Sequence, residues 1–348
     1  MDRSRHPSRS VAIIGLIAVA ALAWGPREGR GETVAPRYPV PTHISKESQA
    51  MLAAPIVVDD GPVPRTMEEW LAAQVETNAR LWEFNAPRID QADVTITKKM
   101  MAGVPVREIV PKAPRKPRAG KVLMNVHGGA YWLMGGKLSV KEGVGLADIG
   151  RYRVVSVDYR TPPRHPFPAA VEDGIAVYRK LLESYGAKDI AIFGTSAGGG
   201  LAAAVTIAAR DAGLPLPAAV IMHTPWADLS KTGDSYFTND RVDPIIPTYD
   251  GSMAAAAKLY AGDAGLKHPL VSPVYADFRP GFPPALLSTG TRDLLLSATV
   301  RLHRELRRAG IPAELHVFDA MWHGLSNMPE GQELQREVLV FLAEHLGD

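Results

Sequence analysis

Residues 190–210, IAIFGTSAGGGLAAAVTIAAR, run from an apolar block (Ile190 to Phe193) through Gly194-Thr195-Ser196-Ala197-Gly198 into an alanine-rich helical segment (Leu201 to Arg210). A strand, a turn and a helix around G-x-S-x-G form the setting in which a serine is held exposed on a strained turn. A serine at positive φ brings the chain before and after it into close approach, so Cβ atoms at 194 or 198 would collide there. Outward from this stretch the chain alternates apolar runs with helical patterns. Lys121 to Val126 and Arg153 to Val157 read as buried strands, and Ala218 to Met222, Ala285 to Ser288 and Ala313 to Val317 as later strands. Helices are expected from Pro168 to about Tyr185, Ser297 to Ala309 and Glu330 to His345. Val94 to Ile96 and Val104 to Val110 alternate like a hairpin. Strands alternating with helices imply an α/β fold, a mostly parallel sheet covered on both faces.

The polar residues that follow these runs suggest chemistry. Ser196 needs a base, because a free hydroxyl is a poor nucleophile at neutral pH. His323, in the loop after the last strand, is the candidate base, and Asp293, after the strand from Ala285, the candidate orienting acid. Asp228 is the rival acid. His127-Gly128-Gly129-Ala130 follows Val122 to Val126, so Gly128 and Gly129 can turn backbone N–H groups to a substrate oxygen, joined by that of Ala197. His127 reads as a brace for this loop. Tyr131, Trp132 and Trp226 are read equally as walls of a substrate pocket or as core. No histidine spacing suggests a metal, and with no cysteine there is neither a disulfide nor a thiolate nucleophile.

The set HGGA-YW, DYR…PFPAAVED, GTSAGG, TGTRD and WHGL resembles the bacterial hormone-sensitive-lipase-like esterases, in the branch carrying GTSAG, over about residues 66–346. The resemblance implies an α/β-hydrolase core with a helical cap and hydrolysis of short- to medium-chain carboxylic esters without a cofactor. It also implies a Ser196–Asp293–His323 triad with Gly128, Gly129 and Ala197 as oxyanion donors. The order Ser, Asp, His is the one found in α/β-hydrolases. Two positions depart from the family pattern. Ala130 replaces the third glycine of HGGG, and Thr161-Pro162-Pro163-Arg164 stands where a sequence like LAPE is commoner. The same machinery could cleave amides, and relatives that have lost a triad member bind ligands without turnover. Retention of His323 argues against the latter.

The 348 residues suffice for one large domain with an appendage, and 46% hydrophobic with 22% charged residues is an ordinary globular balance. Arg3, Arg5 and Arg9 precede the uncharged run Val11 to Trp24, so residues 1–24 read as a signal peptide, or as an anchor if not removed. That reading places the protein in the periplasm or outside the cell, with no stable membrane span in the mature form. Three arginines and one aspartate lie within residues 1–23, so the formal charge of +2 vanishes without them. Nucleic acid is therefore not an expected partner, and a small uncharged ester or lactone is. A homo-oligomer is compatible with the sequence and not required by it. The expected organisation is a proline-rich arm (25–65), a cap helix region (66–91), a catalytic core (92–223 and 281–348) and a cap or lid insertion (224–280).

Overall fold

Eight strands form one sheet in the order β10-β9-β8-β7-β5-β6-β4-β3. They are β3 (Val94–Met101), β4 (Val104–Pro111), β5 (Val122–Val126), β6 (Arg153–Val157), β7 (Ile190–Thr195), β8 (Ala219–His223), β9 (Ala285–Gly290) and β10 (Ala313–Phe318). Six of them, β5 to β10, pair in parallel, and the β3–β4 hairpin closes one edge in antiparallel fashion. This computed structural model describes residues 31–58, 62–324 and 328–347. The leader-like residues 1–24 lie outside the described residues, as does Leu325 of the WHGL motif. Among the described residues no helix is long and apolar enough to cross a membrane.

The central strands are near-continuous apolar runs because helices cover both faces. Every residue of β5 and of β9 is buried. One apolar cluster lies between the sheet and the helices Ala169–Leu182, Ala197–Asp211 and Leu296–Arg308, and the other beneath the C-terminal helix Pro329–Leu346. The chain leaves β5 toward β6 on one side, while β7 pairs with β5 on the other. That reversal opens a crevice beyond the carboxyl ends of β5 and β7, the usual ligand position in such sheets.

The expected helix after Thr66 spans Met67–Gln91, with Thr66 as N-cap and Glu69 completing a reciprocal capping box. Its buried stripe is Trp70, Ala73, Leu81, Asn85 and Ile89, whereas Met67 and Val75 are exposed. The connection from 224 to 284 carries the helix Ser252–Ala261 and is anchored in the core. Trp226, Leu229, Tyr260 and Val271 are completely buried within it.

The proline-rich arm is folded onto the surface. A ribbon of β1 (Glu32–Val34) and β2 (Ile56–Val58) flanks the helix Lys46–Ala53, and Ile44, Met51 and Leu52 are buried against the sheet's second cluster. One carboxylate fastens the arm. Glu330 accepts Ser45 N–H at 2.8 Å, Ser45 Oγ at 3.0 Å and Ser48 Oγ at 2.8 Å. Replacing Glu330 with Ala removes all three hydrogen bonds. The substitution should cost about 2 kcal/mol, read as a lower midpoint in urea or thermal unfolding. An unchanged midpoint would show that the arm is held by its apolar contacts alone.

Candidate active site

The turn after β7 holds Ser196 at φ 60° and ψ −125°, a conformation that costs a non-glycine residue about 1–3 kcal/mol. Backbone hydrogen bonds fix it: Ser196 N–H donates to His223 O at 2.8 Å, and Ser196 O accepts from Trp226 N–H at 2.8 Å. A Cβ at Gly194 would strike Gly198 and the Val126 carbonyl, and one at Gly198 would lie 2.7 Å from His127 C. The glycine pattern thus reflects three backbones meeting at one point. Beyond the turn, the first-turn N–H of Ala197 has no partner within its helix.

The loop after β5 lies beside this turn. Gly129, Ala130 and Tyr131 all take positive φ, at 101°, 50° and 67°. Inside the loop, Trp132 N–H and Leu133 N–H both donate to Gly129 O, which leaves the N–H groups of Gly129 and Ala130 without acceptors among the described residues. Gly128 departs from expectation. Its N–H donates to Glu142 Oε1 at 2.8 Å, so it is committed to a carboxylate and the two available donors are those of Gly129 and Ala130. The shift by one residue has a simple reason. Gly128 still continues the line of β5, and the chain reverses only at Gly129. His127 braces the loop as expected: its ring stacks on Tyr159 at 4.1 Å and its Nδ1 lies 2.8 Å from Gly128 O. Burial pushes its pKa down, so the ring is neutral.

Asp293 and His323 come from the turns after β9 and β10. His323 Nδ1 lies 3.2 Å from Asp293 Oδ1, and both side chains are buried. Leu295 N–H at 2.9 Å and Thr289 Oγ1 at 2.8 Å donate to the same carboxylate and fix its plane. With Nδ1–H turned to Asp293, the neutral imidazole carries its free lone pair on Nε2. Burial opposes a charge on His323, but the carboxylates of Asp293 and Asp243 outweigh it, so its pKa lies above 6.5. The rival acid Asp228 is engaged elsewhere: Ser230, Thr232 and Arg301 hold it in a separate network.

A cavity of about 120 Å³ brings the parts together, walled by Ser196, Gly129, Ala130 and His323 together with Leu81, Phe84, Leu133, Met134, Ile245 and Ile246. Tyr131, Trp132 and Trp226 are core residues rather than its walls. Tyr131 stacks on Tyr260 at 3.7 Å, Trp132 packs edge-on against Trp70 at 4.9 Å, and Trp226 is completely buried. A second cavity of similar size lies behind the wall made by Glu142 and Thr195, and neither Ser196 nor His323 borders it.

Three tethers were not visible as motifs. Asn78 Oδ1 accepts Met134 N–H at 2.8 Å, and Gln74 reaches Trp132 O, so the long helix holds the β5 loop. Glu142 joins that loop to the serine turn, accepting Gly128 N–H at 2.8 Å and Thr195 N–H at 3.1 Å. Burial raises its pKa, against the pull of Lys141 and these donors.

The family described as the α/β-hydrolase fold matches residues 123–327. An acetyl-hydrolase of Streptomyces hygroscopicus is 36% identical over 66% of this chain and 77% of its own. The crystal structure of an esterase is 38% identical, with a TM-score of 0.82 over 90% of this chain and 98% of that one. Another, of an esterase from the bacterial hormone-sensitive lipase family, is 33% identical with a TM-score of 0.74, covering 82% of this chain and 93% of that one.

Removing the Glu142 tether should loosen the donor loop relative to the serine. Glu142→Ala is expected to lower kcat on an ester substrate by up to about 100-fold, the scale of a misplacement near 1 Å. Glu142→Gln, which keeps one acceptor oxygen, should lose less. Equal and negligible losses in steady-state kinetics would show that the loop holds its shape unaided.

Proposed function

The chain belongs to the bacterial hormone-sensitive-lipase-like esterases of the α/β-hydrolase superfamily, and from that membership we propose that it is a serine carboxylesterase acting on small uncharged esters. The observation that carries the reading is the buried Asp293–His323 pair at 3.2 Å, opening onto the same cavity as a serine at positive φ. In the proposed cycle Ser196 Oγ attacks the ester carbonyl carbon while His323 Nε2 takes its proton. Asp293 keeps the imidazole oriented and stabilises the imidazolium. The N–H groups of Gly129, Ala130 and Ala197 receive the oxyanion, each such donor contributing about 2.7–4 kcal/mol to the transition state. Collapse expels the alcohol with a proton from His323. Water, deprotonated by the same imidazole, then attacks the acyl-serine and frees the acid.

The substrate class follows from the walls. Six apolar side chains and a volume of about 120 Å³ suit a short acyl chain, and the likeness to an acetyl-hydrolase supports the same size. Cleavage of an amide would use the same groups, and nothing in the cavity favours it over an ester.

Ser196→Ala should lower kcat on p-nitrophenyl acetate or butyrate by at least about 10⁴-fold with an unchanged melting profile. Full activity in that variant would end the proposal. Acyl chains longer than the cavity should be turned over progressively more slowly in a panel graded by length. The pH dependence has a definite sign. His323 must be neutral to accept the serine proton, and its pKa is raised. The acid limb of kcat/KM should therefore fall off above the ordinary histidine value of about 6.5, and a limb below that value would contradict the electrostatics described.

A further inference from the structure

The connection between β8 and β9 carries a second buried carboxylate beside the catalytic pair. Asp243 is completely inaccessible to solvent, and each of its oxygens accepts two backbone N–H groups. Oδ1 takes those of Ile245 at 2.8 Å and Ile246 at 3.1 Å. Oδ2 takes those of Leu294 at 3.0 Å and His323 at 3.1 Å. Leu294 follows the acid Asp293, and Ile245 and Ile246 line the cavity around Ser196. One side chain therefore ties together the turn bearing the acid, the turn bearing the base and a wall of the substrate cavity.

We infer that Asp243 is a positioning residue for the reaction, clamping the Asp293 and His323 turns through a single carboxylate oxygen and adding a second negative charge beside the imidazole. The inference rests on the triad reading given above. Its physical basis is the donor count. A carboxylate surrounded by four N–H groups uses both lone pairs on each oxygen, so protonation or replacement by an amide must displace at least one donor. An Asn at this position would turn an NH2 group toward either the Leu294 and His323 N–H groups or those of Ile245 and Ile246, releasing both turns together or the cavity wall.

The charge matters as well as the geometry. The groups acting on His323 are Asp293 and Asp243, which favour its protonation, and Lys141, which opposes it. Those acting on Asp243 are Asp293 and His323. Burial and the Asp293 charge push its pKa up, against the pull of His323 and of the four N–H donors, which only the ionised carboxylate can satisfy together. Removing the Asp243 charge leaves His323 with one anion instead of two, so the imidazole should lose its proton at lower pH. A residue that merely supports the fold would alter rate and stability without moving this titration.

The experiment compares kcat and KM between about pH 5 and pH 9 for the unmodified chain, Asp243→Asn, Asp243→Glu and His323→Ala, with a thermal melt of each. In Asp243→Asn, kcat should drop by about 10- to 100-fold with little change in KM. Its acid limb should move to lower pH by about one unit. Asp243→Glu keeps the charge, so its limb should stay at the unmodified position even where its rate is reduced. If Asp243→Asn gives no cooperative melt, Asp243→Ser takes its place and must show the same displacement. A limb that coincides with the unmodified one in the neutral variant overturns the proposal, whatever the loss of rate. An active His323→Ala would overturn the triad reading instead, so the two failures are distinguishable.

Discussion

Three backbones converge on the carbonyl oxygen of Val126, with no room for a Cβ at Gly194 or Gly198. This close approach is what the rest of the site depends on. It brings the end of β5 against the turn after β7 and the start of the helix Ala197–Asp211, so the loop after β5 and Ser196 are neighbours by steric necessity. A Cβ at Gly128 would lie 2.7 Å from Thr195 O, so the same crowding extends along the loop. Positive φ at Ser196, Ala130 and Tyr131 is the local cost, and a core with many fully buried side chains sustains it.

Around this convergence the polar groups form a connected scaffold. Glu142 fastens the donor loop to the serine turn, and Asn78 with Gln74 fastens the same loop to the long helix. Asp243 fastens the acid turn to the base turn. Each tether is a side chain holding backbone groups of a distant loop. The backbone groups of these loops have no strand or helix ladder to pair with, and directional bonds to buried side chains satisfy them and fix the loops in place.

The sheet was legible because parallel strands covered on both faces must be apolar throughout. Ile190 to Phe193 and Val122 to Val126 announce themselves without any partner in view, whereas the edge strand Ala313–Phe318 carries Glu314 and His316 and has no buried residue. Ser196, Asp293 and His323 of the proposed site stand out for a related reason: each follows a strand, and the carboxyl ends of parallel strands share one edge. What was not legible depends on contacts between remote residues. Glu142 and Asp243 sit in no periodic pattern, and an aspartate before a proline reads as an ordinary turn. Gly128 and Ala130 differ in role by where the chain reverses, a matter of one residue that the motif alone does not resolve. Trp132 and Trp226 are aromatic residues beside catalytic motifs, and only the packing of Trp70 against the first and the complete burial of the second settle that they belong to the core.

The folded arm joins the two ends of the polypeptide at the base turn. Ser48 Oγ lies 3.7 Å from Met321 Sδ, His43 pairs with Asp319 at 3.1 Å, and Arg292 donates to Pro39 O at 2.7 Å. Glu330 completes the seam from the C-terminal helix. A chain made from its N-terminus outward thus carries the arm from early on but acquires the strand, turn and helix that receive it only at the end of translation. On the site proposed above, a product that stops short of the strand β10 and its turn would own the serine and its glycines and lack the base.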